Sequence, residues 1–295
     1  LLKKYSLSFT VPTEKCLPNI ESDIMIMWID FLLEPLQYSF MSRALIVCIL
    51  IGVTCPFLGA FVVNREMAFM GDALAHAVLP GLVVAYAFGV SPFIGALPTG
   101  IIVALSIGYI VKKSRVSNDT SIGIVYSGLF SLGLIILSLT GGSKLNVEDI
   151  LLGQLLGTST IDVYVTICIT AALSVVLIIF YRQMVFVGFD FQGAKVAGLP
   201  AAKLDYLLLI LITVAIVMSL QVVGIILVVG MLITPSAASS LIVRRFPRVI
   251  LVGIVFGITS AVAGLYFSYY FNLPSGPSIA MVSSIIFAIC FAGSR

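Results

Sequence analysis

The sequence predicts an all-helical integral membrane protein, a polytopic bundle in which eight or nine helices cross the bilayer. Composition is the first reason: 60% of the residues are hydrophobic and 10% are charged, whereas about a quarter are charged in an ordinary soluble domain. The second reason is that six stretches between residues 44 and 294 contain no Asp, Glu, Lys or Arg. A helix that crosses the hydrocarbon needs roughly 20 mostly apolar residues, so three of these stretches are long enough for two helices each.

Turn signals divide the charge-free stretches into individual spans. Gly89-Val90-Ser91-Pro92 and the segment from Asn272 to Pro277 mark two clear boundaries. The boundary near Gln221 to Gly224 is weaker, and one long broken helix, with eight spans in total, is the alternative there. The nine predicted spans are 44–63, 67–88, 93–112, 120–140, 161–181, 205–220, 223–243, 248–271 and 277–294.

The distribution of basic residues predicts the orientation. With nine spans, 11 of the 16 Lys and Arg residues fall on one side of the membrane, and an excess of basic residues is typical of the cytoplasmic side. The amino terminus is then outside and the carboxyl terminus is cytoplasmic. The net charge of +3 follows from this bias and requires no nucleic-acid partner. The 11 residues are Arg65, Lys112, Lys113, Arg115, Arg182, Lys195, Lys203, Arg244, Arg245, Arg248 and Arg295.

The chain divides into a tail and a membrane domain. Residues 1–40 are mixed in polarity and form the predicted external tail, in which 24–40 is typical of an interfacial amphipathic helix anchored by Trp28. Residues 41–295 form the predicted transmembrane domain. Its longest internal loop on the basic side is 182–204.

Several kinds of chemistry are not indicated. Cys48, Cys55, Cys168 and Cys290 lie in predicted spans without a C-x-x-C pair, so they are interpreted as small core residues. No G-x-x-x-x-G-K-[ST] motif is present, so any ATP hydrolysis must occur in another chain. An intramembrane enzyme is poorly supported, because no paired aspartates, HExxH or serine–histidine set occurs at depth. The chain is therefore predicted not to be an enzyme, and no permanently bound cofactor is expected.

The lone histidine, His76, follows Asp72 by four residues inside the second predicted span. On a helix these positions face the same way about 6 Å apart along the axis, so their oxygen and nitrogen donors can share one metal ion. Ionisable residues are expensive within a membrane, which favours a functional role over a structural hydrogen bond. Met67 and Met70 lie nearby, but thioethers favour softer ions and these residues are interpreted as packing.

A second candidate site is the segment from Gln192 to Pro200 in the loop 182–204. Its small residues, Gly193, Ala194, Ala197 and Gly198, would let a short helix lie close to another protein. Gly198 followed by Pro200 would end that helix. An ordinary interfacial loop is the alternative interpretation.

Proline and glycine mark further positions within the spans. Pro56, Pro80, Pro98 and Pro235 each remove a backbone hydrogen bond and tend to kink a helix, although proline is also common in membrane helices generally. Gly253 and Gly257 fit the G-x-x-x-G pattern of closely packed helices.

Several motifs in order resemble one known family. Phe69-Met70-Gly71-Asp72-Ala73-Leu74-Ala75-His76-Ala77-Val78-Leu79-Pro80-Gly81 is similar to the second-span motif of the permease subunits of manganese, zinc and iron ABC importers, the ABC-3 metal permease family. The resemblance continues in residues 59–63, 119–124, 194–200 and 223–238, and it covers roughly 35–295. The tail before about residue 35 is longer than is usual in the family.

The resemblance implies a permease that moves a divalent transition metal, with manganese favoured over zinc or iron, across a bacterial cytoplasmic membrane. Its partners would be a second copy of the chain, two cytoplasmic ATPase subunits and an extracytoplasmic metal-binding protein. Asp72 and His76 would line the metal pathway. The coupling helix that fits the ATPase would comprise Gln192, Gly193, Ala194, Ala197, Gly198, Leu199 and Pro200. The alternative function is a stand-alone ion-coupled metal carrier or channel that uses the same Asp–His pair.

Overall fold

Long apolar helices build the fold, as a computed structural model shows for residues 34–90, 92–113, 117–139 and 155–294. Nine spans in these described ranges are long and apolar enough to cross a membrane; α2 and α3 together form one of them, and the short α7 forms none. The helices are α1 (Ser39–Asn64), α2 (Phe69–Ala77), α3 (Leu79–Ala87), α4 (Pro92–Lys113), α5 (Asn118–Leu139), α6 (Thr160–Phe189), α7 (Phe191–Val196), α8 (Ala201–Val223), α9 (Ile225–Ile242), α10 (Phe246–Phe271) and α11 (Ser275–Gly293).

The weak sequence boundary near residue 224 is a true break between two spans. Gly224 separates α8 from α9 with φ +85° and ψ 166°, a conformation that only glycine adopts readily. The nine-span alternative is therefore the one that the described residues show.

Contacts with α1 show that the chain reverses at this glycine. Asp205, near the start of α8, pairs with Arg65 at the end of α1, while Ser219, near the end of α8, lies 3.8 Å from Cys55. Helix α8 thus runs opposite to α1. Helix α9 runs the same way as α1, because Val243 after its last turn shares a cavity with Asn64.

The first membrane-spanning helix, α1, begins earlier than the predicted start at residue 44. Residues 24–33 of the proposed interfacial helix lie outside the described part of the chain. Glu34–Gln37 form one 3-10 turn, Tyr38 is extended, and α1 already begins at Ser39. The boundary predicted at residues 40 and 41 thus falls inside the first span.

The predicted loop 182–204 is largely helical. Helix α6 continues to Phe189, eight residues beyond the predicted end at 181, and the buried side chains of Met184 and Val187 pack this extension against the bundle. Helix α7 follows, and α8 begins at Ala201. Only residues 190 and 197–200 connect these helices.

Helix α1 lies at the centre of the bundle, packed against α6, α9 and α10. Its backbone approaches α10 closely where Gly52 faces Gly257. Ser236 in α9 donates a hydrogen bond of 2.8 Å to the carbonyl of Pro56, which fixes α9 beside the proline of α1. Helix α5 lies at the periphery. Of its apolar spanning stretch 17% is buried inside the bundle, compared with 67% for α1.

The cysteines form no disulfide among the described residues, and three of them are core residues as predicted. Cys48, Cys55 and Cys290 are buried. Cys168 differs because it lies exposed on the outer face of α6. The prediction of a small core residue is wrong there, since the helical period turns this position away from the bundle.

Candidate metal site and coupling helix

The second span is two helices joined at one residue. Val78 ends α2 and also precedes α3, and Pro80 lies in the first turn of α3. Pro80 has no N–H to donate to the carbonyl of His76, so a continuous helix would lose that bond. The proline four residues after His76 thus removes one backbone hydrogen bond at the interruption.

Asp72 and His76 lie on one face of α2, as the sequence predicts. The Nε2 atom of His76 is 3.5 Å from Oδ1 of Asp72. The side chains are 22% and 49% exposed, respectively, so the imidazole is mostly enclosed whereas the carboxylate opens to the surface of the chain. The pair thus lies at the surface of the chain, and its carboxylate is the open side.

Two aromatic rings of α5 enclose the imidazole. The ring centroids of Tyr126 and Phe130 lie 5.8 Å and 5.4 Å from that of His76, and Phe130 meets it edge to face. The two aromatics are one helical turn apart and 5.7 Å from each other. They limit the positions that the imidazole can take. Sequence reasoning missed them, because their only local signal is this four-residue spacing.

The methionines near the pair serve packing, as interpreted from the sequence. Met70 is fully buried and Met67 is buried, and both belong to the main hydrophobic core.

The Asp–His pair offers two side chains of types that can bind a metal ion. Within the described ranges, no group of three or more His, Cys, Asp and Glu side chains could hold a metal ion together. A transition-metal dication takes four or more ligands. Water or a second copy of the chain would have to supply the others.

The segment after α6 forms a short capped helix, α7. The carboxylate of Asp190 accepts a 2.7 Å hydrogen bond from the N–H of Gly193, which caps the start of α7. Gly198 at φ +79° follows its end, where a left-handed conformation is needed, and Pro200 precedes α8. The predicted short helix and its stop are confirmed.

The predicted coupling residues divide by exposure. Gln192, Ala197, Gly198 and Pro200 are exposed, Gly193 and Leu199 are half-buried, and Ala194 is fully buried. Ala194 packs with Val187, Ala201 and Leu204 and so attaches α7 to α6 and α8. Val196, which was not singled out from the sequence, is 91% exposed and extends the surface available to a partner.

An ion pair that the sequence did not reveal joins α8 to the segment before α2. Arg65 is bonded through Nη1 to the carboxylate of Asp205. Arg65 lies between α1 and α2, whereas Asp205 lies one turn into α8. The sequence signal was faint: Asp205 is the acidic residue that immediately precedes the charge-free stretch 206–243.

Three of the basic residues lie together at one end of the bundle. Arg65, Lys112 and Lys195 line a common cavity although they come from three different segments. This agrees with the side predicted from the charge distribution. The same end carries α7, so the candidate coupling helix and the basic residues share a face.

Comparison with known proteins establishes the family. Residues 37–294 match the ABC 3 transport family. The chain belongs to this family. Its relatives in the ABC 3 transport family include the manganese transport system membrane protein MntC of Halalkalibacterium halodurans, 43% identical over 256 residues that cover 87% of this chain and 88% of MntC. The chelated iron transport system membrane protein YfeD of Yersinia pestis is 36% identical over 265 residues, which cover 90% of this chain and 89% of YfeD.

A solved structure agrees with this ABC 3 transport family fold. PsaBC from Streptococcus pneumoniae in complex with Fab superposes with a TM-score of 0.78 at 36% identity. The match covers 90% of this chain and 95% of that chain. The bundle described above is therefore shared over nearly its full length.

Proposed function

We propose that the chain is the permease subunit of an ATP-binding-cassette importer that moves a divalent transition-metal ion into the cytoplasm. The observation that carries this proposal is the Asp72–His76 pair on the exposed face of an interrupted second span, in a chain of the ABC 3 transport family. The relatives named for manganese and chelated iron transport support a first-row metal as the cargo. Manganese is favoured over zinc or iron.

The site would be completed across a homodimer. Two copies would bring together two carboxylates and two imidazoles, a donor set suited to manganese, iron or zinc rather than to softer ions. The exposed carboxylate of Asp72 supports this arrangement, because a carboxylate facing lipid would be strongly unfavourable. Water would complete the metal shell, and a shell that includes water lets the ion leave, as transit requires.

The energy would come from two separate ATPase subunits on the basic face. Helix α7 would dock to them through its exposed residues, among them Gln192 and Ala197. Movement of α7 would reach α8 through the packing of Ala194 against Leu204. The Arg65–Asp205 ion pair would transmit this movement to the segment that begins α2, and thus to Asp72 and His76.

The orientation in a bacterial cytoplasmic membrane follows from this assignment. The basic end of the bundle would face the cytoplasm, the amino terminus and the tail would be outside, and the carboxyl terminus would be cytoplasmic. An extracytoplasmic metal-binding protein would deliver the ion to the opposite end. Nothing in this scheme requires a nucleic acid or a permanently bound cofactor.

Reconstitution separates this proposal from a stand-alone carrier or channel. The permease is placed in vesicles with its ATPase subunits and binding protein, and uptake of Mn²⁺, Zn²⁺ and Fe²⁺ is measured one metal at a time. We expect uptake only when ATP is supplied on the side of the membrane that carries the ATPase subunits. Among the three metals, Mn²⁺ should be taken up fastest. Equal uptake without ATP, or by vesicles that contain the permease alone, would instead establish a carrier or channel.

A further inference from the structure

A basic cavity of about 530 Å³ lies at the end of the bundle that carries α7. Arg65, Lys112 and Lys195 line it, and Asp205 is the one carboxylate among its described lining residues. The Lys112 ammonium lies 6.0 Å from the ring centroid of Tyr206, and the Lys195 ammonium lies 4.8 Å from that of Phe191. Both rings also line the cavity, so they hold the two cations at its rim.

Two of the three guanidinium nitrogens of Arg65 have no hydrogen-bond acceptor among the described residues. Nη1 bonds to Asp205, but Nε and Nη2 are buried and meet no acceptor among the described residues. Buried donors without a partner are rare and unfavourable. A planar guanidinium with two free donors matches an oxygen-rich anion such as a phosphate. The three basic side chains therefore give the cavity the charge to hold one, and the buried donors of Arg65 would reach it once that side chain turns towards the cavity.

The deeper walls of the cavity are apolar. Ile107, Ile122 and Leu209 line it and belong to the spanning helices α4, α5 and α8. Ile107 lies six residues before the end of α4, which is about 9 Å along the helix. The cavity thus runs from charged helix ends to apolar side chains of the spanning helices. Free phosphate or an acidic side chain of a partner would use only its upper part.

We propose that this cavity binds an anionic phospholipid. Arg65, Lys112 and Lys195 would hold its phosphate, and the part of an acyl chain nearest the headgroup would lie along the apolar wall. Basic cavities between membrane helices at the cytoplasmic side recognise such headgroups. Gln192 and Lys195 of α7 line the same cavity, so the bound lipid also fastens α7 to α4 and α8. The proposal goes beyond metal transport and does not depend on it.

Two neighbouring lysines provide a matched test. Lys112 lines the cavity, whereas Lys113 does not and instead bonds through Nζ to the Tyr109 hydroxyl at 2.9 Å. Purified full-length permease is titrated with phosphatidylglycerol or phosphatidylcholine, and the bound lipid is counted by native mass spectrometry. Loss of one basic residue at the surface should weaken lipid binding about five-fold. We expect this for Lys112→Gln and no change for Lys113→Gln.

The outcomes distinguish the source of the phosphate. Preference for phosphatidylglycerol that depends on Lys112 supports the proposal. Equal effects of Lys112→Gln and Lys113→Gln overturn it, because attraction would then come from surface charge alone. Displacement of the lipid by inorganic phosphate, with equal binding of both lipids, also overturns it and identifies a site for the free anion.

Discussion

Asp72→Ala and His76→Ala are each expected to reduce metal accumulation in cells to less than about a tenth, while the transporter still assembles and hydrolyses ATP. Even residues that only support a metal ligand are worth about 10- to 100-fold in affinity or activity, and the loss of a ligand should have at least that effect. Assembly should survive, because neither side chain is fully buried and the buried neighbours of the pair remain in place. Uptake of the transported metal and ATPase activity are measured on the same preparations.

The control for these variants is Asp162→Asn. Asp162 lies in the capping box at the start of α6, where an asparagine can still hydrogen-bond to the backbone N–H of Ser159. Uptake by this variant should remain near that of the unmodified protein. Near-normal uptake by both Asp72→Ala and His76→Ala would remove the pair from the metal pathway.

Gly257→Ala should strongly destabilise the bundle, whereas Gly253→Ala should not. A Cβ atom on Gly257 would come closer than 3.0 Å to the backbone carbonyl of Gly52, and a backbone atom cannot move aside. Overpacking of this kind costs about 3 kcal/mol. At Gly253 the nearest atom to an added Cβ is Oγ of Ser239 at 3.4 Å, an ordinary contact.

Thermal unfolding of the purified variants in detergent measures this difference. Gly253→Ala should leave the Tm unchanged or raise it slightly, because an added Cβ meets no clash and alanine favours the helix by up to about 1 kcal/mol. Gly257→Ala should lower the Tm by several degrees or fail to accumulate as a folded protein. Equal Tm values for the two variants would mean that α1 and α10 do not meet at Gly52.

This pair of glycines shows what a sequence pattern can predict and what it cannot. Gly253 and Gly257 satisfy G-x-x-x-G equally, yet only Gly257 faces the backbone of α1. The pattern indicates close helix packing but not which partner helix is met. That depends on a residue about 200 positions away, so no local rule could select between the two glycines.

Charge spacing predicted the spans well but misplaced some of their ends. Helix α6 was expected to stop before Arg182, because charges mark the edge of hydrocarbon. A helix can extend past a charged residue where its side chains still pack, and the buried Met184 and Val187 hold α6 against the bundle as far as Phe189. The exact end at Gly224 needed the structure, because the sequence allowed one long broken helix there.

The proximity of Asp72 and His76 was predictable because its geometry is local. Asp72 and His76 share a helix face by spacing alone, and proximity in the chain produced proximity in space. Tyr126 and Phe130, which enclose His76, come from another helix about 50 residues away. The Arg65–Asp205 pair joins positions 140 residues apart. Such long-range contacts leave no periodic signal in a single sequence.

The most direct test of the metal pathway uses the single histidine of the chain. The permease is expressed in cells supplied with ¹⁵N-labelled histidine, purified and loaded with Mn²⁺. Pulsed EPR then detects any ¹⁵N bound to the metal. Because His76 is the only histidine, a ¹⁵N coupling assigns the ligand without ambiguity. We expect this coupling, and weaker Mn²⁺ binding by Asp72→Ala. Mn²⁺ that binds without ¹⁵N coupling, or equally well to His76→Ala, would contradict the assignment of Asp72 and His76 to the metal pathway.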